Sequence, residues 1–235
     1  MLIKTSIAAA LCLAGANNAF AQNDRLETIV VTGSMIDEDD LGEIPNVTLR
    51  VNADFILYEL TYVNSTLEPS ERKDEMERMY NAVRRELPKH PTLKLKVGDA
   101  SASADIETTI FDEAYNNYGT QARMDFVVSA DVQSNDSYQD IRERVEAFVD
   151  QAGEIGRSQS ILDDEQYLGV NDLKSYRPAL IKAIWDDIYA TSNPSGITEL
   201  EIKGLEGRTQ YIPVGPMELQ LFIPYKVEYA TTVDR

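Results

Sequence analysis

The sequence predicts an α+β fold in which mainly antiparallel sheets are combined with three amphipathic helices. Apolar residues repeat at helical spacing in three separate segments, and apolar and polar residues alternate in the segments between and after them. The predicted order is β, α, β, β, β, α, a short insert, α, β, β, β. This order lacks the regular β–α alternation of a doubly wound parallel sheet.

The first 21 residues have the composition of a cleavable export signal. Lys4 supplies the positive charge, Ile7 to Ala14 form an apolar stretch, and Ala19-Phe20-Ala21 gives a small-x-small cleavage pattern. We therefore expect the mature chain to begin at Gln22. Its apolar segments are shorter than the roughly 20 residues of a membrane-spanning helix. The sequence thus predicts a periplasmic protein with no transmembrane segment in its mature chain, and leaves outer-membrane association open.

The composition is strongly acidic, with 22 basic and 40 acidic residues and a formal net charge of −18. Removing residues 1–21 takes away one Lys and no acid, which leaves a mature chain with a charge of −19. Such a charge repels nucleic-acid backbones and anionic lipid surfaces. Cys12 is the single cysteine and lies inside the signal, so the mature chain can hold no disulfide.

Residues 22–45 are predicted to form an N-terminal strand and an acidic linker ahead of an α+β domain at residues 46–235. The stretch from Glu27 to Gly33, E-T-I-V-V-T-G, is rich in β-branched residues and is predicted to be a strand of this domain. The acidic run from Ile36 to Glu43 lacks the alternate spacing of a calcium loop and is predicted to be a solvated linker.

The first half of the domain contains a long or bulged strand followed by an amphipathic helix. Alternation from Val47 to Val63 predicts the strand. The helix is predicted from Pro69 to Leu87, because Pro69 suits its start and Pro88 ends it. Its buried stripe consists of Met76, Met79, Tyr80, Val83 and Leu87.

Strands and a second helix follow. Strands are predicted at Leu93 to Val97, Ile106 to Phe111 and Met124 to Val132, with a turn at Tyr115 to Gly119. The second helix runs from a cap at Asp136 or Ser137 to Gly153. Its buried side consists of Tyr138, Ile141, Val145, Phe148 and Ala152.

The last third begins with a mixed insert from Arg157 to Lys174. A third helix starts near Pro178 and carries on one side Leu180, Ile181, Ile184, Trp185 and Ile188. Three strands close the chain, at Thr198 to Lys203, Gln210 to Val214 and Met217 to Tyr229. Pro224 predicts that the last strand lies at a sheet edge or carries a bulge.

The sequence offers few groups for catalysis. His90 is the only histidine, follows a helix end, and is predicted to be a solvated connector. One histidine and no mature cysteine leave no ordinary zinc or copper site, and no glycine-rich phosphate loop is present. We therefore predict no catalytic, cofactor-binding or metal-binding residues, no cofactor, and no enzymatic activity. Acid–base catalysis by a carboxylate pair such as Asp163 and Asp164, or Asp186 and Asp187, stays open as an alternative.

Several segments together resemble the SIMPL-domain proteins, which are periplasmic or outer-membrane-associated bacterial proteins. The resemblance spans most of residues 27–230 and rests on the order of elements. It is carried by Ile29 to Gly33, by the Ala122-to-Val132 strand that leads into a helix, by the helix opening at Arg177 to Ala183, and by Pro213 to Leu219. It implies a SIMPL-like α+β domain that self-associates, with a link to stress tolerance.

The expected function is therefore that of a non-enzymatic cell-envelope protein that acts through self-assembly or contacts with other envelope proteins. A second resemblance gives the alternative. Glu27 to Gly33 is similar to the coupling segment of TonB-dependent receptors. A 22-stranded receptor barrel with strands of about ten residues does not fit in this chain. The alternative is thus a soluble accessory of TonB-linked outer-membrane transport.

Overall fold

The computed structural model describes residues 29–32, 44–191 and 197–231, and it confirms the α+β class. The strands are β1 (Ile29–Thr32), β2 (Leu49–Asn52), β3 (Phe55–Asn64), β4 (Leu93–Gly98), β5 (Ser103–Asp105), β6 (Asn116–Asn117), β7 (Ala122–Asp131), β8 (Ser158–Val170), β9 (Ile197–Lys203), β10 (Gln210–Pro213), β11 (Glu218–Phe222) and β12 (Lys226–Thr231). The helices are α1 (Pro69–Glu86), α2 (Phe111–Ala114), α3 (Tyr138–Ala152) and α4 (Arg177–Thr191). The predicted signal at residues 1–21 and the acidic run Ile36 to Glu43 lie outside the described residues.

The described strands form three antiparallel sheets. The largest has the order β1-β8-β3-β7-β4-β5, and the short β6 pairs with β7. A second sheet has the order β10-β11-β2, and β9 pairs with β12 in a two-stranded ribbon. Strand β1 pairs with β8 over four residues, from Ile29 opposite Val170 to Thr32 opposite Tyr167. The prediction that Ile29 to Thr32 form a strand of this domain is therefore confirmed.

Helices α1 and α3 pack against each other and against the large sheet. The strand residues that alternate on the packed face of β3 are fully buried, among them Tyr58, Leu60 and Tyr62. The ring of Tyr62 meets that of Phe126 edge to face, with centroids 6.0 Å apart. Burial of each large apolar side chain contributes about 1.5–3 kcal/mol, so this layer is the main source of stability.

The predicted helices are confirmed. Helix α1 begins at Pro69 and gives way to a 3-10 turn at Leu87–Lys89. At the start of α3, the Ser137 hydroxyl accepts from the Asp140 N–H and the Asp140 carboxylate accepts from the Ser137 N–H, which satisfies donors that a helix start leaves unpaired. Gly153 ends α3 with a φ of +71°, a conformation that suits glycine.

The predicted long strand from Val47 to Val63 is divided in two. At the break, the Ala53 N–H donates to the Met217 carbonyl and the Asp54 N–H donates to the Gly169 carbonyl, each at 2.8 Å. Strand β2 consequently joins the small sheet through β11, whereas β3 joins the large sheet between β7 and β8. The alternating segment from Val47 to Val63 therefore contributes one strand to each of two sheets.

The predicted last strand, Met217 to Tyr229, is also divided. Strand β11 ends before Pro224 and β12 begins after it, and the two belong to different sheets. Proline has no N–H to donate to a ladder, so the chain leaves one sheet there and enters the next. Pro224 thus marks a change of sheet, where the sequence predicted an edge or a bulge.

The predicted strand from Ile106 to Phe111 is wrong. The Thr108 and Thr109 N–H groups both donate to the Asp105 carbonyl, which makes a turn, and α2 follows. Ile106 is buried in the core, so its apolar character reflects packing from a turn. The predicted turn at Tyr115 to Gly119 lies slightly later, because Asn116–Asn117 pair with β7 before the chain reverses.

The predicted insert from Arg157 to Lys174 is also wrong, because this segment forms the 13-residue strand β8 between β1 and β3. Its register against β3 shifts between Tyr58 and Leu60. The shift coincides with the acidic residues Asp163, Asp164 and Glu165. The irregularity and these charged residues interrupt the alternation by which a strand is predicted.

A buried polar cluster fixes the start of α1 to the end of β3 and the start of β8. One carboxylate oxygen of Glu75 accepts hydrogen bonds from the Asn64 amide at 2.8 Å, the Thr66 hydroxyl at 2.6 Å and the Arg157 N–H at 3.3 Å. These hydrogen bonds, above all those from Asn64 and Thr66, lower the pKa of Glu75. The Asn64 amide also donates to the Ser158 hydroxyl at 2.9 Å.

The neighbouring Arg72 is fully buried and ties α1 to the loop between β6 and β7. Its guanidinium donates to the Thr66 carbonyl at 2.7 Å and to the Gly119 carbonyl at 2.6 Å. These two carbonyl acceptors lie on different segments of the chain, so the guanidinium links both of them to α1. Neither Arg72 nor Glu75 belongs to the predicted buried stripe of α1, so this cluster was not predicted from the sequence.

Candidate functional site

Helix α4 presents the most distinctive surface of the described chain. An Asp172 carboxylate accepts from the Ser175 N–H at 3.3 Å and caps the 3-10 turn that leads into the helix. The helix is anchored by one fully buried row, which consists of Leu180, Ile184 and Ile188. The adjacent row, one residue further on at each turn, consequently lies toward solvent.

That adjacent row carries two exposed aromatic rings. Trp185 is 37% exposed and Tyr189 is 69% exposed. Their rings are stacked, with centroids 5.8 Å apart and an interplanar angle of 27°. Ile181, one turn earlier, is half-buried. We call Ile181, Trp185 and Tyr189 the aromatic surface.

The aromatic surface is flanked by charge on the same helix. Lys182 and Asp186 form an ion pair one turn apart, and both side chains are largely exposed. An exposed pair of this kind contributes little to stability, at most about 1 kcal/mol. Its place beside the rings gives the surface an apolar centre and a polar edge, which is the usual composition of a protein contact site.

A groove opens at the start of α4. It has a volume of about 910 Å³ and is lined by Leu173, Lys174, Arg177 and the segment 206–211. Arg177 joins its two sides, because its guanidinium donates to the Gly207 carbonyl at 2.6 Å and also to the Leu205 carbonyl. Burial raises the pKa of the Tyr211 phenol, which lies in the lining.

The structure corrects the prediction for His90. The side chain is only 13% exposed, and its ring meets that of Phe148 edge to face with centroids 5.4 Å apart. Its Nε2 lies 3.4 Å from a carboxylate oxygen of Glu86. His90 therefore packs at the end of α1 and is not the solvated connector expected from its position before Pro91.

The two carboxylate pairs considered for acid–base chemistry lie apart in the fold. Asp164 is 98% exposed and pairs with Arg142 at 2.9 Å, and its neighbour Asp163 is also exposed. Asp186 pairs with Lys182 on α4, and the Asp187 carbonyl accepts from the Thr191 hydroxyl. Neither pair lines the groove.

Within residues 29–32, 44–191 and 197–231, no three His, Cys, Asp or Glu side chains are grouped so that they could hold a metal ion. In the same part of the chain, no helix has the length and apolar character needed to cross a membrane.

Comparisons with family models, curated protein sequences and solved structures find no match for this chain. The SIMPL-domain resemblance therefore stays an expectation from the sequence.

Trp185 was predicted on the same side of α4 as the buried residues, and this prediction is wrong, because its ring is exposed. Leu180, Ile184 and Ile188 alone form the fully buried row. The predicted apolar side also included Ile181 and Trp185, and it was therefore wider than the row that is fully buried. Both rows repeat at a spacing of four residues, so the spacing alone does not show which row faces solvent.

Proposed function

We propose that this chain is a non-enzymatic protein of the bacterial cell envelope that acts by self-association through the aromatic surface of α4. The observation that carries the proposal is the exposed stack of Trp185 on Tyr189. Tryptophan and tyrosine are enriched among the residues that dominate protein interfaces. The stacking restrains both rings before binding, so less conformational entropy is lost when a partner covers them.

The partner in this proposal is a second copy of the chain. The resemblance to SIMPL-domain proteins supports that choice, since it implies self-association. The charge of −19 on the mature chain opposes self-association, because two copies repel each other at long range. Short-range apolar contact must therefore hold the copies together, and salt, which screens the repulsion, is expected to strengthen the association.

We propose a periplasmic location because an export signal is expected at residues 1–21. The same proposal includes association with the outer membrane and a role in stress tolerance. The pairing of β1 with β8 favours this function over the TonB-linked alternative. A coupling segment has to be available to a partner's sheet edge, whereas Ile29–Thr32 lie in the sheet of their own chain.

The test is sedimentation of the mature chain at a series of concentrations and salt levels. We expect a reversible oligomer that strengthens with salt. Replacing both Trp185 and Tyr189 by Ala is expected to weaken it by at least roughly tenfold per ring, the effect of removing interface anchors. Tyr118→Ala is the matched control, because Tyr118 is an aromatic residue that is 67% exposed and belongs to the loop between β6 and β7.

Two results would contradict the proposal. One is a wild-type chain that remains monomeric at every concentration and salt level. The other is an oligomer that the double substitution leaves unchanged while circular dichroism shows both proteins folded. An equal loss of association in Tyr118→Ala would likewise remove the reason for assigning the contact to α4.

A further inference from the structure

We propose that the groove at the start of α4 binds a small organic anion, in which a carboxylate or phosphate group is attached to an apolar body. This site is distinct from the aromatic surface. It rests on the charge, shape and lining of the groove, and it does not depend on self-association.

The lining of the groove has a local excess of basic side chains. Among the described residues, the groove is lined by three basic side chains, Lys174, Arg177 and Arg208, and by a single acidic one, Glu206. The chain as a whole has 18 more acidic than basic residues. A concave surface in which bases outnumber acids is thus the reverse of the overall composition, and concave surfaces concentrate the field of the charges that line them.

Arg177 is held in a fixed position within the lining. Its guanidinium donates to the carbonyl oxygens of Gly207 and Leu205, which are neutral acceptors. These bonds fix the direction of the side chain without neutralising its charge. Arg177 is half-buried, so the groove holds an oriented cation whose side chain is already ordered before a ligand arrives.

The rest of the lining supplies apolar contacts and neutral hydrogen-bond donors. Leu173 is buried and supplies an apolar contact, and Tyr211 adds a half-buried ring. A phenol is protonated at neutral pH, and burial raises the pKa of Tyr211 further, so its O–H can donate a hydrogen bond to an anion. The Thr209 hydroxyl provides another donor in the lining.

Size agrees with this ligand class. The volume of about 910 Å³ lies within the roughly 300–1,000 Å³ of small-molecule sites. A bare inorganic ion fills only a small part of such a space. The apolar contacts from Leu173 and Tyr211 would then remain unused, so an anion with an attached ring or chain is the better fit.

The test is a titration of the full mature chain with phenyl phosphate, benzoate and inorganic phosphate, followed by amide NMR shifts. We expect saturable binding of phenyl phosphate, with shifts confined to residues 173–177 and 205–211. Inorganic phosphate is expected to bind more weakly, because it lacks the apolar body. Since the chain repels anions overall, saturable binding indicates a local site.

Substitutions locate the site. Arg208→Gln removes an exposed cation from the rim and is expected to weaken phenyl phosphate binding by roughly threefold to tenfold. Arg177→Lys keeps the positive charge but loses the oriented fork, and we expect a similar loss. Arg85→Gln is the control, because Arg85 is an exposed cation on α1 outside the groove, and it should bind as the wild type does.

Several outcomes would overturn the proposal. One is the absence of saturable amide shifts up to roughly 10 mM phenyl phosphate. Another is a set of shifts that lie outside the groove. A third is equal weakening of phenyl phosphate binding by Arg208→Gln and Arg85→Gln. Cosedimentation with phosphatidylglycerol vesicles distinguishes a lipid headgroup from a free anion, and we expect no binding to the vesicles. Vesicle binding without phenyl phosphate binding would also contradict the proposal. Because the aromatic-surface variants leave the groove intact, either proposal can fail alone.

Discussion

Replacing Glu75 separates the contribution of its hydrogen bonds from that of its charge. All three donors, from Asn64, Thr66 and Arg157, meet the same carboxylate oxygen. A Gln at position 75 can place its carbonyl oxygen there and keep all three bonds. An Ala removes the acceptor and leaves the buried Asn64 and Thr66 donors without it. The two substitutions therefore form a matched pair.

The expected magnitudes follow from the geometry. Each short bond to a charged acceptor stabilises by roughly 1.5–3 kcal/mol, and the bond of 3.3 Å from Arg157 adds little. Water entering the vacated space offsets part of the loss in Glu75→Ala, so we expect a decrease of about 3–4 kcal/mol in the free energy of unfolding. Glu75→Gln is expected to lose about 1 kcal/mol.

Urea denaturation at neutral pH measures both values, and its pH dependence tests the charge. The pKa of Glu75 is lowered in the folded state, so its carboxylate stabilises the fold above the unfolded pKa of about 4.3. That contribution is lost as the pH falls through the folded-state pKa. The difference in stability between the wild type and Glu75→Gln should therefore be constant at neutral pH and shrink in acid.

The reasoning is refuted if Glu75→Ala unfolds within about 1 kcal/mol of the wild type, because an acceptor for buried donors cannot be that dispensable. It is also refuted if Glu75→Gln is as unstable as Glu75→Ala, which would assign the whole effect to charge. A stability difference that grows toward low pH would reverse the sign that the lowered pKa requires.

Three other predictions test separate parts of the fold. Gly156 and Gly119 both have positive φ, but only at Gly156 would an added Cβ meet the Glu75 carboxylate, at 1.9 Å. Gly119→Ala should therefore lower the free energy of unfolding by about 1 kcal/mol, and Gly156→Ala should lower it by at least about 2 kcal/mol more. Equal losses would disprove the close contact. Deleting residues 22–34 should lower stability by about 3 kcal/mol, and amides of Ile29–Thr32 should exchange slowly; rapid exchange of all four would show that β1 is not held in the sheet. Thermal melts with and without a chelator should coincide, and a large drop on chelation would indicate a cation site in the acidic run.

The regular parts of the fold could be predicted because their local sequence pattern matches the structure that they adopt in the folded chain. Helix α3 has a capping residue, a clean apolar stripe and a terminal glycine, and its bounds follow from these. Strand β8 could not be predicted in the same way. Its pairing partners, β1 and β3, lie about 100 residues or more away, and the exposed acids at its register shift hide the alternation.

The breaks in the two long alternating segments, Val47 to Val63 and Met217 to Tyr229, could not be predicted from the local sequence pattern. The division between β2 and β3 depends on donation from Ala53 to Met217, which is distant in the sequence. The buried Glu75 and Arg72 raise the same difficulty, since charged residues on a helix are normally assigned to solvent. Their partners come from β3 and from loops, and only the folded chain brings them together.

For the candidate site, the sequence could identify α4 but not which of its two apolar rows faces solvent. The groove was harder to predict, because Arg177 and Arg208, which both line it, lie 31 positions apart in the sequence. Neither belongs to a motif. Their proximity depends on the contact of Arg177 with the loop between β9 and β10.

The fluorescence of Trp185 tests the proposed self-association most directly, because it is the only tryptophan in the chain and lies in the aromatic surface. We expect its emission to shift to shorter wavelength, and its accessibility to a neutral quencher to fall, as protein concentration and salt increase. Both changes should be absent in Tyr189→Ala at concentrations where that variant is monomeric. An emission maximum and quenching constant that stay the same while sedimentation shows oligomers would place the contact elsewhere and contradict the proposed function of α4.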